Sequence, residues 1–150
     1  LYMKYLVTGG AGFIGSNFIH YILSKYPDAS VVNLDNLTYA GNLENLKGFE
    51  NNPRYKFVKG DITDPQLVNE LAAKVDVIVH FAAESHVARS IFADRLFFET
   101  DVLGTHSVAS AVSHNKKIEK FVHISTSEVY GSAIYEPMDE SWSAMRSARM

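Results

Sequence analysis

The chain has 150 residues, 47% of them apolar and 21% charged, with a formal net charge of −3 and no cysteine. That length suits one domain able to bury its own core without staples. The charge offers no footprint for nucleic acid or an anionic membrane, and the missing cysteines exclude disulfides and thiolate metal sites and suit a reducing cytoplasm. No apolar run approaches the roughly 18 residues of a membrane span. The opening Leu1-Tyr2-Met3-Lys4 lacks the charged and then apolar order of a signal peptide, and Met3 is the expected native start.

In chain order, Tyr5-Leu6-Val7-Thr8 is a short apolar run that ends in Gly9-Gly10 and reads as a buried strand. Phe13 to Lys25 follows with Phe13, Ile14, Phe18, Ile19, Ile22 and Leu23 at helical spacing. Pro27-Asp28 breaks that helix. Ser30 to Leu34 is a second strand closed by Asp35, and Asn42 to Phe49 is expected as a short helix. Tyr55 to Lys59 is a third strand, closed by Gly60-Asp61. Asp64-Pro65 has the form of an N-cap with proline at the first helical position, opening a helix to about Lys74. Val75 to Phe81 is a nearly continuous apolar strand, Arg95 to Val112 a long helix, and Lys120 to Ser125 a fifth strand. Strands apolar on both faces alternating with helices imply an α/β fold with a doubly wound parallel sheet of order 3-2-1-4-5, all of residues 1–150 forming one Rossmann domain. Ligands of such sheets bind beyond the C-terminal strand ends, so chemistry is expected just after each strand.

Thr8-Gly9-Gly10-Ala11-Gly12-Phe13-Ile14-Gly15 lies between the first strand and the first helix, with glycines 9, 12 and 15 at the spacing G-x-x-G-x-x-G. The first permits a tight turn, the second lets a pyrophosphate approach the backbone, and the third lets the helix pack closely. The helix N-terminus then offers free N–H groups to phosphate. Asp35 ends strand two, 20 residues after Gly15; a carboxylate there accepts ribose hydroxyls and repels a 2′-phosphate, and Asn36-Leu37-Thr38 brings no arginine, so NAD is expected over NADP. Asp61, with Ile62 beside it, is either an adenine contact or a turn residue. Phe81-Ala82-Ala83-Glu84-Ser85-His86 follows strand four, its small residues leaving room for a cofactor and Glu84, Ser85, His86 and Arg89 forming a polar mouth. His80 reads as a satisfied core residue, and His86 as either structural or substrate-facing. The six histidines show no close pairing, so no metal site is expected. Ser125-Thr126-Ser127-Glu128 after strand five places hydroxyls beside a carboxylate that serves as general base if it is desolvated, or as a simple capping cluster if it is not.

The run from Leu6 to Phe18 resembles the extended short-chain dehydrogenases. Asn33-Leu34-Asp35-Asn36-Leu37-Thr38-Tyr39-Ala40-Gly41-Asn42-Leu43 and His80-Phe81-Ala82-Ala83-Glu84-Ser85-His86-Val87 are similar to the dTDP-glucose 4,6-dehydratase branch of that nucleotide-sugar epimerase and dehydratase family, the likeness running from about Met3 to Gly131. It implies that Gly9, Gly12, Phe13, Ile14 and Gly15 hold the NAD pyrophosphate and that Asp35, Asn36, Leu37, Thr38 and Gly41 surround the adenosine ribose. Asp61 and Ile62 would hold adenine, and Phe81, Ala82, Ala83, Ser85 and Thr100 would line the rest of the cofactor site. Thr126, Ser127 and Glu128 would form the catalytic cluster, with Ser85 and His86 at the substrate. Two positions differ from that branch: Ser127 and Ala88 stand where it carries Asp, and Thr-Ser-Glu is similar to the GDP-mannose 4,6-dehydratases. The implied reaction on a nucleotide sugar is oxidation at C4, loss of water across C5 and C6 with Glu128 taking the C5 proton, and return of the hydride to C6. A 4-epimerase or decarboxylase of the same superfamily, or a non-catalytic NAD-binding fragment, is the alternative. The family's Tyr-x-x-x-Lys pair is expected about 25 residues after Glu128, beyond the segment Ser141 to Met150, so the chain is read as truncated and inactive by itself. The full-length family member is expected to be a homodimer, and here the helix near Phe92, Leu96 and Phe97 is expected to leave an apolar patch exposed.

Overall fold

A computed structural model describes residues 2–130, and the expectations placed on Leu1, Gly131 and residues 141–150 lie outside the described residues. Five parallel strands form one sheet in the order β3-β2-β1-β4-β5: β1 Met3–Thr8, β2 Ala29–Asp35, β3 Tyr55–Lys59, β4 Val77–His80 and β5 Lys120–His123. Helices α1 Phe13–Lys25, α2 Pro65–Ala72, α3 Val87–Ser90, α4 Asp94–Phe97 and α5 Thr105–His114 join them. This is the doubly wound arrangement that the alternation of apolar runs and helices implies.

Successive side chains of a strand point to opposite faces of the sheet, and the two cores follow that rule. Leu6, Leu34 and Ile78 meet Val68 and Leu71 of α2 and Val108 and Ala111 of α5 on one face. Their neighbours Val7 and Val31 meet Ile19, Ile22 and Leu23 of α1 on the other. Between α1 and β5 this second face is partly open, with an apolar hollow of about 780 Å³ lined by residues such as Tyr5, Phe18, Val79 and Val122.

Local signals account for most boundaries. Asp64 caps α2, its Oδ1 accepting the N–H groups of Gln66 and Leu67, with Pro65 in the first turn. At the far end of α1, Arg54 donates from Nη2 to the Leu23 carbonyl, an acceptor that the helix end leaves free, and from Nη1 to those of Tyr26 and of Ala29 at the start of β2. Three expectations are corrected. The stretch Asn42 to Phe49 holds only a 3-10 turn, Leu43–Leu46, capped by the Asn42 side chain. The fourth strand is shorter than Val75 to Phe81, because its ladder with β1 covers only Val77–His80. The helix expected over Arg95 to Val112 is α4, a π-helical stretch Phe98–Gly104 and then α5. The wider π turn seats Gly104 against Ile62, where a Cβ would lie 2.5 Å from Ile62 Cδ1.

Candidate functional site

The glycine turn is built by close approach. Gly9 leaves β1 at φ +70, and a Cβ there would lie 2.6 Å from the backbone nitrogen of Ala82, at the exit of β4. Its own N–H donates to the Leu34 carbonyl at 2.9 Å, so the turn is fastened to both neighbouring strands. Gly15 packs on the turn itself, its missing Cβ facing the Gly9 carbonyl and Gly10 Cα. Gly12 differs. It is the N-cap of α1 with no side-chain capping bond, and a Cβ there would touch only the Gly9 carbonyl, at 3.3 Å. Among the described residues no other atom lies close enough to require glycine at that point, and the α1 N-terminus has no side-chain cap.

The acidic residues of the sequence motif are tied into the loops. Asp35, buried at the end of β2, accepts the Ala11 N–H on Oδ2 at 2.9 Å and the Leu37 N–H on Oδ1 at 2.8 Å. It thereby joins the glycine turn to the loop over residues 36–41, where Leu37 takes φ 54 and the absent Gly41 Cβ would lie 2.8 Å from Asp35 Oδ1. Each oxygen keeps a lone pair for a further donor. Asp61 accepts the N–H and hydroxyl of Thr63 on Oδ1 and the Asn36 amide on Oδ2, which is the turn role allowed by its position.

On the β4 and β5 side, Glu84 is buried and its Oε2 has no hydrogen-bond partner among the described residues. Its N–H donates to Asp101 Oδ1 at 2.8 Å, from the π-helical stretch. Burial pushes the Asp101 carboxyl above its ordinary range, partly offset by that same N–H. At the mouth the Arg89 guanidinium stacks over the Tyr39 ring at 4.2 Å, linking α3 to the loop over residues 36–41. Thr126 and Glu128 lie at the 3-10 turn Ser127–Tyr130, where Thr126 Oγ1 accepts the Glu128 N–H. Glu128 is exposed, so the desolvation expected of a carboxylate base is not supplied by the described residues.

One cleft of about 760 Å³ collects most of these groups, a size suited to an organic ligand. Along it stand Gly9, Gly12, Phe13, Ile14 and Gly15, then Asp35, Asn36, Thr38, Gly41, Asp61 and Ile62. Phe81, Ala82, Ala83, Ser85, Thr100, Thr126 and Glu128 complete the set. Leu37, His86 and Ser127, singled out in the sequence, do not line it. Leu37 spends its N–H on Asp35, His86 stands exposed before α3 with no capping bond, and Ser127 opens the 3-10 turn. The cleft also takes in Asp101, Thr105 and His123, which no motif announces. Phe97, expected in the exposed patch, lines the cleft instead, while Ile91, Phe92, Phe98, Val102 and Leu103 are exposed, Phe92 at 90%.

A parallel 3-2-1-4-5 sheet with a glycine turn feeding a helix N-terminus and a buried carboxylate closing β2 defines the dinucleotide-binding class of α/β proteins. A family model described as GDP-mannose 4,6 dehydratase matches residues 6–145, and the chain belongs to that family. It is 54% identical over 129 residues to the low-salt glycan biosynthesis protein Agl12 of Haloferax volcanii, covering 86% of this chain and 41% of that protein. To the human dTDP-D-glucose 4,6-dehydratase it is 43% identical over 140 residues, covering 92% of this chain and 40% of the relative. The structure of a double mutant of DesIV, the dTDP-glucose 4,6-dehydratase of Streptomyces venezuelae with NAD and DAU bound, aligns with a TM-score of 0.87 at 46% identity, over 95% of this chain and 45% of that one. The chain therefore spans about two fifths of the length of the curated relatives it matches.

Proposed function

We propose that this chain is the NAD-binding part of a nucleotide-sugar 4,6-dehydratase of the dTDP-glucose type, working in the cytoplasm. The observation that carries the reading is the pairing, in one cleft, of an open cradle at Gly12 with the Asp35 carboxylate that holds the neighbouring Ala11 N–H. The cradle and the first turn of α1 suit a pyrophosphate. Asp35 suits a ribose diol, and Asn36, Leu37 and Thr38 bring no cation for a 2′-phosphate. NAD, when bound, takes a hydride from the sugar and returns it. The chain's own residues hold and orient: Ser85 and Thr100 line the cleft, the Thr126 hydroxyl hydrogen-bonds the sugar oxygen at C4, and Glu128 takes the proton at C5 once bound sugar covers its exposed carboxylate. That assignment leaves out Ser127 and His86, which do not line the cleft. Epimerisation at C4 needs no base at C5, so Glu128 favours the dehydratase over an epimerase.

Calorimetric titration tests the reading. The chain is expected to bind NAD and to bind NADP at least about tenfold more weakly. Asp35→Asn removes one acceptor and the repulsion of a 2′-phosphate, and should cut that preference by about tenfold, the worth of one charge-assisted hydrogen bond. Failure of the unmodified chain to bind NAD would sink the proposal. The Tyr-x-x-x-Lys pair expected of the family is not supplied by Tyr21 and Lys25, whose hydrogen bond is on the exposed side of α1, nor by Tyr55 and Lys59 at the same spacing on β3. We accordingly propose that the 150-residue chain binds cofactor without turnover.

The exposed Ile91 and Phe92 between α3 and α4, with Phe98, Val102 and Leu103 of the π-helical stretch, form the surface that we assign to the homodimer of the full-length family member. Self-association rising with concentration in light scattering is the expected result; a monomer at high concentration counts against it.

A further inference from the structure

Three residues stand in register at the C-terminal ends of β1, β4 and β5: Thr8 opposite His80, and His80 opposite His123. All three lie on the face covered by α5, because Leu6, Ile78 and Phe121, two residues earlier on each strand, belong to the core under that helix. His80 is 1% exposed. Its Nδ1 is 2.6 Å from Thr8 Oγ1, and its Nε2 is 3.1 Å from Thr105 Oγ1, at the first residue of α5. Thr8 is the last residue before the Gly9 turn, and Thr105 follows the π-helical stretch and lines the cleft.

The direction of the chain of hydrogen bonds follows from the donors. Thr8 Oγ1 accepts the Ala82 N–H at 3.4 Å, a weaker bond. The Thr8 hydroxyl is fully buried, and among the described residues the acceptor for its own proton is His80 Nδ1. A proton on Nδ1 would leave that hydroxyl without an acceptor, at the cost of an unsatisfied buried donor. Nδ1 is therefore the lone-pair nitrogen, and Nε2–H donates to Thr105.

We infer that His80 is a positioning residue of the dinucleotide cleft: through Thr8 its Nδ1 sets the seat of the glycine turn, while through Thr105 its Nε2–H holds the helical wall. The inference rests on the reading of the cleft as an NAD site. It assigns different consequences to two substitutions of the same residue. Asparagine places an amide oxygen near the position of Nδ1 and still accepts the Thr8 proton, but loses Thr105. Glutamine reaches toward Thr105 and leaves Thr8 without its acceptor.

The experiment is a calorimetric NAD titration of the wild-type chain, His80→Asn and His80→Gln, with thermal melts of each and imidazole nitrogen NMR of the wild type. His80→Asn is expected to bind NAD within about threefold of wild type and His80→Gln about tenfold more weakly, one buried hydrogen bond apart. Equal affinity in the two variants, or tighter binding by His80→Gln, overturns the inference, whatever their melting temperatures. If the wild type binds no NAD, the proposed function and the role of His80 in the cleft fail together, and the tautomer then tests the hydrogen-bond chain from Thr8 through His80 to Thr105 by itself. The proton resting on Nε2 upholds it; on Nδ1, or on both nitrogens near neutral pH, it is overturned.

Discussion

Gly9→Ala should cost the fold about 4 kcal/mol or more, against the roughly 5–15 kcal/mol by which a domain is stable. Two costs add. At φ +70 an L-alanine pays about 1–2 kcal/mol for the left-handed region. The added Cβ would then lie 2.6 Å from the Ala82 nitrogen, 2.7 Å from its Cα and 2.9 Å from the Phe81 carbonyl carbon, all backbone atoms at the exit of β4. No side chain can rotate away, so β1 and β4 must part where their ladder ends and the cleft begins. Gly12→Ala is the control. Its Cβ would meet only the Gly9 carbonyl, at 3.3 Å, and alanine for glycine at an N-cap costs about 0.5–1 kcal/mol. That variant should fold and yet lose NAD affinity, because the methyl group fills the cradle. Denaturant midpoints beside NAD titrations separate the two glycines. A Gly9→Ala chain as stable as wild type would show that the turn is not pressed against β4 as described.

Acid should destabilise the chain through His80. Burial, and then the neighbouring His123, depress its pKa from 6.5 to about 4. The folded chain therefore keeps this imidazole neutral in a range where the unfolded chain binds a proton, so stability rises with pH between about 4 and 6.5. The contribution is complete above the unfolded value of about 6.5, falls as pH drops, and is gone near 4. A shift of that size corresponds to about 3 kcal/mol at roughly 1.4 kcal/mol per unit. His123, whose ring stacks on His80 at 5.2 Å, is the neighbour that adds to the effect of burial. Carboxylates titrate in the same window, so the quantity to measure is a difference: urea unfolding of wild type and His80→Asn at pH 7 and pH 4.5. The wild type should lose about 2 kcal/mol more than the variant over that interval. Equal losses would mean that His80 is not a buried neutral imidazole.

Much of this architecture was legible in the residues themselves. Apolar runs of four to seven residues alternating with helical periodicity dictate a parallel sheet, and the right-handed crossover rule then leaves little choice of order. Gly9, Gly12 and Gly15 between a strand and a helix mark the phosphate end of the cleft, and Asp35 marks the ribose end, because backbone geometry at those points leaves few residue types. Asp64-Pro65 opens α2 because its capping bonds reach only two and three residues ahead. What the sequence determined is thus local, or follows from periodicity.

The tertiary structure decided the rest. Asp35 holds Ala11, 24 residues away, and His80 holds Thr8 and Thr105, at separations of 72 and 25. No spacing rule announces such bonds, since they exist only after the strands are in register. The π-helical turns over Phe98–Gly104 leave no trace in apolar periodicity, and the close seat of Gly104 against Ile62 joins two elements far apart in the chain. The same holds for the outcome at the cleft, where Thr126 and Glu128 line it and their neighbour Ser127 does not. A tight turn sends consecutive side chains in different directions, and only packing chooses which of them face the ligand.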